Sequence, residues 1–177
     1  IWTRRVGWRR MIDIKIKRLH PNSVIPQYAK AGDAGMDLTA VDKKYHPDYV
    51  EYKLGIAIEV PEGYVALIFP RSSVSGVDMV LSNAVGVIDS GYRGEISARF
   101  KKILNPVNHC SDFDQAVICA NAAPKEYNIG DRVAQMIIIP YPQINFVEVE
   151  ELSDTERGAG GFGSSGKWLW KMKLISL

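Results

Sequence analysis

Apolar and polar side chains alternate along several short segments of this chain. In residues 12–17 and again in residues 96–101, every second side chain is apolar and those between are charged or hydroxylated. Successive side chains of a β-strand point to opposite faces of a sheet, so this period of two predicts half-buried strands. Residues 136–139 form a continuous apolar run that ends at Pro140, which predicts a buried strand.

Turn residues separate further segments that are typical of strands. Strands are expected over residues 49–60 and 63–70, on either side of a turn at 61–63, and a last strand over 144–151. Residues 116–119 are compatible with one more short strand. The chain has no internal repeat and no long helical period. Many short strands with turns between them predict an all-β fold, most simply a jelly roll or a barrel.

Length and charge divide the chain into a core and two distinct ends. The 177 residues suit one domain, which is long enough to bury a core. Residues 1–10 carry four arginines and residues 167–177 carry three lysines, with no acidic residue in either segment. The formal net charge is +2, but the 15 basic and 20 acidic residues of 11–166 give the core a net charge of −5. This mildly acidic core argues against stable nucleic-acid binding.

No segment has the length and composition of a membrane anchor. No apolar run approaches the roughly 18 residues that a membrane helix needs, and residues 1–10 lack the apolar stretch of a secretory signal. Cys110 and Cys119 lack the spacing of a zinc site. Two thiols without a secretion signal predict a reducing compartment, so we expect a cytoplasmic location without membrane contact. Residues 1–10 are interpreted as an extension, with an Arg-rich targeting segment as the alternative.

Residues 83–95 contain a candidate ligand-binding turn. Two apolar residues lead into Asp89, and a short turn that contains Gly91 follows. This pattern predicts a β-hairpin, in which Gly91 would supply any positive φ that the turn needs. Such a hairpin would offer backbone N–H and C=O groups to a flat polar ligand and hold one carboxylate beside it. The alternative is an ordinary hairpin with a solvated aspartate.

Two other segments carry groups suited to phosphate. The sequence Pro-Arg-Ser-Ser at 70–73 predicts the start of a short helix whose free N–H groups favour an anion, and Arg71 adds a fork-shaped donor. Its alternative is a helix cap with a surface arginine. Residues 157–166 contain five glycines with an arginine, a phenylalanine and two serines. This composition predicts a flexible arm that orders over a ligand, the alternative being a disordered Gly-Ser linker.

Three polar residues have less definite roles on sequence grounds. Gln135 interrupts an apolar run, and such a residue is usually hydrogen-bonded within the sheet, the alternative being that it faces a ligand. In the small-residue segment 31–40, Asp33 is expected to support a turn and Asp37 to stand at the start of a strand.

Five segments, taken in order, resemble the motifs of the trimeric deoxyuridine triphosphatase (dUTPase) family. They are AGDAGMDL (31–38), PRSS (70–73), NAVGVIDSGYRGE (83–95), GDRVAQMI (130–137) and RGAGGFGSSG (157–166). The ordered set is a strong signal, whereas any single motif would be weak. The resemblance covers residues 12–166. It divides the chain into a dUTPase-like β domain (11–156), an arm that closes over the nucleotide (157–166) and a tail without a family counterpart (167–177).

The resemblance also implies an activity and an assembly. A family member is a jelly-roll subunit of a homotrimer, with three active sites shared between subunits. It hydrolyses dUTP to dUMP and pyrophosphate with Mg²⁺ as cofactor, which limits uracil incorporation into DNA and supplies dUMP for dTTP synthesis. The expected ligands and partners are therefore dUTP, magnesium and two further copies of the chain.

The matching positions imply a role for each candidate residue. Asp89 would deprotonate the attacking water, with Ser72 and Gln135 beside the phosphates in the catalytic set. Asp37 would assist magnesium through its water shell. Substrate binding is implied for a set in three groups: Arg71 and Ser73 at the phosphates; Asn83, Gly86, Val87, Ile88 and Tyr92 at the nucleoside; and Arg157, Phe162, Gly163, Ser164 and Ser165 in the arm.

Two departures from the family pattern keep other functions open. Many relatives have a carboxylate where this chain has Gly91, so no role is implied there. The segment 103–128 is longer than the connection common in the family. Its length leaves open that it binds a protein partner and that the chain acts as a nucleotide-gated interaction module. The rival enzyme is a dCTP deaminase, which resembles dUTPases in fold. The pattern of Asp89 and Tyr92, together with the Gly-rich arm, favours hydrolysis over deamination.

Overall fold

The computed structural model describes residues 11–103 and 124–161, and the ordered elements in these ranges are almost all β-strands. The strands are β1 (Lys15–Arg18), β2 (Met36–Thr39), β3 (Asp42–Tyr45), β4 (Val50–Lys53), β5 (Ile56–Glu59), β6 (Tyr64–Pro70), β7 (Met79–Leu81), β8 (Gly86–Ile88), β9 (Ser97–Lys102) and β10 (Arg132–Pro140). A 3-10 helix over Ser72–Gly76 is the helical element of the described ranges. The predicted all-β class, with at most one short helix, is confirmed.

The strands form three antiparallel sheets around one core. The two larger sheets have the orders β2-β10-β6-β8 and β3-β4-β9-β7, and β1 pairs with β5 in a third. Residues from both larger sheets belong to one cluster of buried side chains, which includes Leu38, Ala66, Ile68 and Met136 from the first sheet and Tyr52, Leu81, Ala98 and Phe100 from the second. Apolar inner faces packed against each other give the sandwich expected of a jelly-roll-like domain.

The segment 49–60 contains two strands where the sequence predicted one. β4 belongs to a four-stranded sheet, whereas β5 pairs with β1. Between them Gly55 has a φ of +64°, and an added Cβ would lie 2.5 Å from the Ser23 hydroxyl oxygen and 2.9 Å from Val41 Cγ2. A left-handed glycine in tight surroundings redirects the chain. The apolar run continues through this point because both strands face the core.

The predicted hairpin at 83–95 is also wrong in its pairing. β8 pairs with β6, and β9 pairs with β4 and β7, so the segment between them crosses from one four-stranded sheet to the other. Gly91 does not have a positive φ, and the left-handed residue of this region is Ala84, with a φ of 57°. The turn itself is present, since the Tyr92 N–H donates to the Asp89 carbonyl at 3.1 Å.

The remaining strand predictions differ mainly at their ends. The strand expected over 12–17 begins at Lys15, and the strand expected over 136–139 already begins at Arg132. The expected strand at 116–119 lies outside the described residues. Residues 144–151 form no strand, so that prediction is wrong for the single chain. Among the described residues, no helix has the length and apolar character needed to cross a membrane.

Candidate functional site

The order of three strands brings one group of predicted site residues together. In the sheet order β2-β10-β6, Gln135 of β10 lies opposite Asp37 of β2 and, on its other side, opposite Phe69 of β6. Asp37 lies within β2, one residue from its first residue, and Arg71 directly follows the last residue of β6. Motifs that are distant in sequence therefore meet because their strands are neighbours.

A carboxylate between two guanidinium groups forms the centre of this group. Arg71 Nε donates to Asp37 Oδ1 at 2.6 Å, and Arg132 Nη1 donates to Asp37 Oδ2 at 3.0 Å. Arg71 Nη1 also donates to the Ser73 hydroxyl at 3.2 Å. Charge-assisted hydrogen bonds of this kind fix the direction of a guanidinium group. The sequence analysis did not predict Arg132 as a site residue. Its position in the same motif as Gln135 could have indicated it.

A cleft of about 460 Å³, which we call the anion cleft, has a lining that includes Asp33, Asp37, Arg71, Arg132 and Gln135. Gln135 Nε2 donates to the Pro70 carbonyl at 3.0 Å, so this amide is bonded to a neighbouring strand and also lines the cleft. An added Cβ at Gly35 would lie 2.7 Å from Gln135 Oε1, which explains a glycine at that position. Asp33 supports a turn as expected, because its carboxylate accepts from the Lys30 N–H at 2.8 Å.

The anion cleft does not contain a closed metal site. In residues 11–103 and 124–161 no group of three or more His, Cys, Asp or Glu side chains is arranged to hold a metal ion. Both carboxylate oxygens of Asp37 already accept from arginine. The donor set fits a magnesium ion that arrives on phosphate and keeps most of its waters, because magnesium is commonly bound by one or two carboxylates together with substrate phosphates.

A second cleft, of about 420 Å³, contains the other group of predicted residues. We call it the hairpin cleft; its lining includes Asn83, Gly86, Val87, Ile88 and Tyr92, together with Glu95, Ser97 and Arg99. At Gly86 an added Cβ would lie 3.2 Å from Ile68 Cβ, which is tighter than an ordinary contact, and 3.6 Å from Asn83 Nδ2, so a larger residue would crowd Ile68. The Tyr92 hydroxyl donates to the Glu95 carbonyl at 2.9 Å, which holds the ring at the cleft.

Sequence reasoning missed the polar residues on the β9 side of the hairpin cleft. The Ser97 hydroxyl and Arg99 Nε donate to the same oxygen of Glu51 at 3.0 and 2.9 Å. Burial alone would raise the pKa of Glu51, but the hydrogen bonds from Arg99 and Ser97 and the nearby positive charge together lower it. Glu51 thus fixes two side chains of the cleft. Little in the sequence indicates this role of Glu51, because only the register of β4 against β9 places it opposite Arg99.

Asp89 stands at the end of β8, where the chain begins its crossing between sheets. It is exposed, and within the described part of the chain its carboxylate has no hydrogen-bond or ion-pair partner. It lines neither cleft directly, but its neighbour Ile88 and the turn residue Tyr92 both line the hairpin cleft. The predicted acid is therefore held at a fixed backbone position with both oxygens available.

Ser72 and Ser73 are not among the residues that line either cleft. Ser72 opens the 3-10 helix, and its carbonyl accepts from the Ser75 hydroxyl at 3.0 Å. Arg157 belongs to a separate compact unit, in which its Nε donates to the Gly160 carbonyl at 2.9 Å. The other four arm residues lie outside the described residues; they are Phe162, Gly163, Ser164 and Ser165.

Comparison with known proteins assigns the chain to a family. The family model described as dUTPase matches residues 22–166. The chain belongs to the dUTPase family. It is 42% identical over 158 residues to the deoxyuridine 5'-triphosphate nucleotidohydrolase of Thermobifida fusca, covering 88% of this chain and 79% of that protein. It is 37% identical over 161 residues to the corresponding protein of Clostridioides difficile, covering 88% of this chain and 99% of that one.

Solved structures of phage dUTPases share the fold. A point mutant of the Staphylococcus bacteriophage 80alpha dUTPase, solved with dUpNHpp, has a TM-score of 0.70 at 28% identity and covers 89% of this chain and all of that one. A point mutant of the dUTPase from phage phi11 of S. aureus has a TM-score of 0.61 at 27% identity, covering 79% of this chain and 98% of that one. That structure concerns the coordination of a structural Mg(II) ion in the phi11 protein.

Proposed function

We propose that this chain hydrolyses dUTP to dUMP and pyrophosphate, with Asp89 as the general base. The observation that carries the proposal is a partner-free carboxylate, that of Asp89, which directly follows the cleft-lining residue Ile88 in a chain of the dUTPase family. A positioned base contributes about 10²–10⁴ to a rate when it lies within hydrogen-bond reach of the proton it removes. The cellular consequence would be less uracil in DNA and a supply of dUMP for dTTP synthesis.

The hairpin cleft is assigned to the nucleoside. Asn83 and the backbone of Gly86, Val87 and Ile88 pair with the uracil edge, while the Tyr92 ring packs on the deoxyribose and leaves no room for a 2′-hydroxyl. The volume of about 420 Å³ and the mixture of apolar and polar lining residues support this assignment. Glu51 assists indirectly, because it orients Ser97 and Arg99.

The anion cleft is assigned to the triphosphate. Arg71 and Gln135 of this cleft, with Ser72 and Ser73 that follow Arg71 in the chain, hold the α- and β-phosphates, and Arg132 adds a second guanidinium to the cleft. Asp37 mainly orients Arg71, since both of its carboxylate oxygens accept from arginine, and it would assist magnesium through the water shell of the ion. When bound, magnesium offsets phosphate charge. Most of the catalysis then comes from positioning and charge stabilisation, as in other phosphoryl transfers.

The chemical step is an in-line displacement at the α-phosphorus. Asp89 accepts a proton from water while the water oxygen forms a bond to phosphorus. The bond from phosphorus to the bridging oxygen of the β-phosphate breaks, and pyrophosphate leaves. The arm residues Arg157, Phe162, Gly163, Ser164 and Ser165 are assigned to closure, with the arginine and serines on the γ-phosphate and the phenylalanine on the base. Closure excludes water and strengthens the charge interactions.

We further propose a homotrimer in which each site is shared between subunits. The hairpin cleft and the anion cleft have no lining residue in common. One chain therefore supplies two half-sites, which suits assembly of each complete site from different copies. A second support is the row of exposed apolar side chains in 144–152, which includes Ile144, Phe146, Val147 and Leu152 with exposed fractions of 72% to 91%. Apolar surface of this kind marks a protein interface.

A product assay tests the proposed reaction. The protein is incubated with dUTP or dCTP and Mg²⁺, and pyrophosphate and ammonia are both measured. Pyrophosphate from dUTP, with kcat/KM for dCTP lower by about 10⁴ or more, is expected because cytosine would leave buried polar groups unpaired. Ammonia from dCTP would identify a deaminase instead. Tight binding without either product would indicate a nucleotide-gated interaction module that acts through 103–128, which a pull-down with and without that segment would then examine.

A further inference from the structure

The described lining of the hairpin cleft contains two charged side chains, Glu95 and Arg99. The carboxylate of Glu95 is engaged on both oxygens, because Oε1 accepts from the Gly55 N–H at 3.1 Å and Oε2 lies 3.3 Å from Lys53 Nζ. Arg99 is engaged only in part. Its Nε donates to Glu51 Oε1 at 2.9 Å, but its two terminal nitrogens have no hydrogen-bond partner among the described residues. These N–H groups remain available to a ligand.

Side chains at the start of β4 hold the Arg99 guanidinium in place. Glu51 binds its Nε, and the Glu51 side chain is 12% exposed, compared with 56% for Arg99. The guanidinium carbon lies 5.2 Å from the ring centroid of Tyr49, and that ring is stacked on His46 at 4.3 Å. A planar guanidinium that is already bound by a carboxylate and lies over an aromatic ring loses little further freedom when it binds a ligand.

Two hydroxyl groups of the hairpin cleft offer a ligand acceptors rather than donors. The Ser97 hydroxyl donates at 3.0 Å to the carboxylate oxygen that also binds Arg99, and the Tyr92 hydroxyl donates to a backbone carbonyl at 2.9 Å. A hydroxyl has a single proton to donate. The side-chain donors left in the described lining are therefore the Asn83 amide, the Ser82 hydroxyl and the terminal nitrogens of Arg99.

A pyrimidine base provides acceptors that suit these donors. Uracil has two carbonyl oxygens and one N–H group on its edge. A guanidinium has donors and no acceptor, so Arg99 can bind a carbonyl oxygen but not the N–H. A hydrogen bond from a charged donor is stronger than one between neutral groups. Phosphate is a less suitable ligand for this residue, because Arg99 does not line the anion cleft.

We propose that Arg99 binds a carbonyl oxygen of the uracil base and that Glu51 is the positioning residue that directs it. Glu51 acts through the Arg99 Nε and does not itself touch the base. This inference rests on the proposed assignment of the hairpin cleft to the nucleoside. It adds two residues that none of the five motifs contains.

Sulfur substitution in the nucleoside tests the contact in the full chain. Calorimetry measures the binding of deoxyuridine, 2-thiodeoxyuridine and 4-thiodeoxyuridine to wild type and to Arg99→Ala. Arg99→Ala should weaken deoxyuridine binding about 10- to 100-fold, the size of a hydrogen bond to a charged group. Sulfur is a weak acceptor, so wild type should bind the thio compounds less tightly. At one of the two positions this penalty should be about 5-fold or more smaller in Arg99→Ala. Unchanged penalties at both positions would overturn the contact.

A double-mutant cycle tests the positioning role of Glu51. Glu51→Gln should weaken deoxyuridine binding about 5-fold or more in the wild-type background, since the amide holds the guanidinium less firmly. In the Arg99→Ala background the same change should alter binding less than about 2-fold, because coupled residues are non-additive. Equal effects in both backgrounds would refute positioning through Arg99. The melting temperature of each variant is recorded to detect a loss of folding.

Two further variants separate direction from charge. Arg99→Lys keeps the charge but cannot bind Glu51 and the base together, so it should weaken deoxyuridine binding as Arg99→Ala does. Full affinity in Arg99→Lys would overturn the directed contact. Lys101→Ala removes another exposed cation of β9 that lines neither cleft, and it should leave binding unchanged.

The outcomes for Arg99 and for the proposed hydrolysis can be told apart. A protein that shows the expected nucleoside binding but releases no pyrophosphate from dUTP refutes the hydrolysis and supports the Arg99 contact. Hydrolysis of dUTP with unchanged deoxyuridine binding in Arg99→Ala refutes the contact alone. Weaker binding of a non-hydrolysable dUTP analogue, with unchanged deoxyuridine binding, would place Arg99 at the phosphates and would also overturn the inference.

Discussion

Two aspartates that look alike in the sequence have opposite surroundings in the structure. Asp37 accepts hydrogen bonds from two arginines, whereas Asp89 is exposed and its carboxylate has no partner among the described residues. A carboxylate held by two cations is suited to orienting them, and one with free oxygens is suited to accepting a proton from water. This difference is the basis for the separate roles proposed for the two residues.

The first prediction concerns the base. Asp89→Asn should keep the affinity for a non-hydrolysable dUTP analogue and lower kcat by about 10²–10⁴, because the amide cannot accept the proton of the water. Single-turnover hydrolysis and calorimetric binding measure the two quantities. Asp42→Asn, which changes an exposed carboxylate on β3, is the matched control and should retain native turnover. Near-native turnover of Asp89→Asn would remove Asp89 from the mechanism.

The second prediction concerns acid stability. Burial alone would raise the pKa of Glu126, but hydrogen bonds from Lys102 at 2.6 Å and from the Tyr45 hydroxyl at 2.9 Å, with further charge from Lys43, lower it below the ordinary 4.5. The folded state thus binds this proton less tightly than the unfolded state. The resulting stability is fully present above pH 4.5 and is lost as the pH falls through the lowered value.

Glu126→Gln should therefore reduce the difference in melting temperature between pH 7 and pH 3.5. Melting curves of wild type and variant across this range measure it. Glu62→Gln, on the exposed turn after β5, is the control and should follow the wild-type curve. An unchanged pH dependence in Glu126→Gln would show that this ion-pair group contributes nothing to acid stability.

At the scale of elements, short breaks between strands decide which sheet each strand joins. Gly55 separates β4 from β5, and the turn at 89–92 separates β8 from β9. At Gly55 the apolar pattern continues across the break, because the strands on either side face the same core, whereas residues 89–95 are mainly polar or glycine. The period of two therefore predicts well which side chains are buried, but it predicts poorly which strands pair.

A comparison of two glycines tests this role of Gly55. Gly55 and Gly63 both have a positive φ, of +64° and +79°. An added Cβ would meet nothing within 4 Å at Gly63, but at Gly55 it would lie within 2.9 Å of three side-chain atoms. Gly63→Ala should cost about 1–2 kcal/mol of unfolding free energy from backbone strain alone. Gly55→Ala should cost more, because the added Cβ would also clash with these three atoms. Equal losses of unfolding free energy for the two variants, measured by urea unfolding, would contradict such a clash at Gly55.

At the scale of the whole molecule, the proposed sharing of sites leads to a complementation experiment. Asp89→Asn alters the hairpin half of the site and Arg71→Ala alters the anion half. Each variant alone should be inactive, but mixed trimers formed by co-refolding should regain activity at about one quarter of their sites, because symmetric assembly combines intact halves from different subunits. Asp89→Asn mixed with Asn83→Ala is the control, since both changes affect the same half. No regain in the first mixture would refute shared sites.

The arm gives the last prediction. Ordering a glycine-rich segment costs roughly 1–2 kcal/mol per residue in backbone entropy, which bound nucleotide must offset. Deletion of 157–177 should thus leave the oligomer intact by light scattering while lowering kcat/KM about 10²-fold or more. Deletion of 167–177 should have little effect, because the family match ends at residue 166. Bound dUTP analogue should also protect Arg157 from trypsin. Full activity of the longer deletion would exclude closure by the arm.

The sequence by itself determined the fold class, the family and the local groups of site residues. A period of two is a property of neighbouring residues, and each motif is a short run, so both can be read without knowledge of the fold. The tertiary structure decided everything that depends on pairing: β8 and β9 join different sheets, Arg132 and Glu51 contact site residues, and 144–151 forms no strand in the single chain. Pairing depends on contacts between residues far apart in the chain. A pattern along one segment does not encode which other segment will lie beside it.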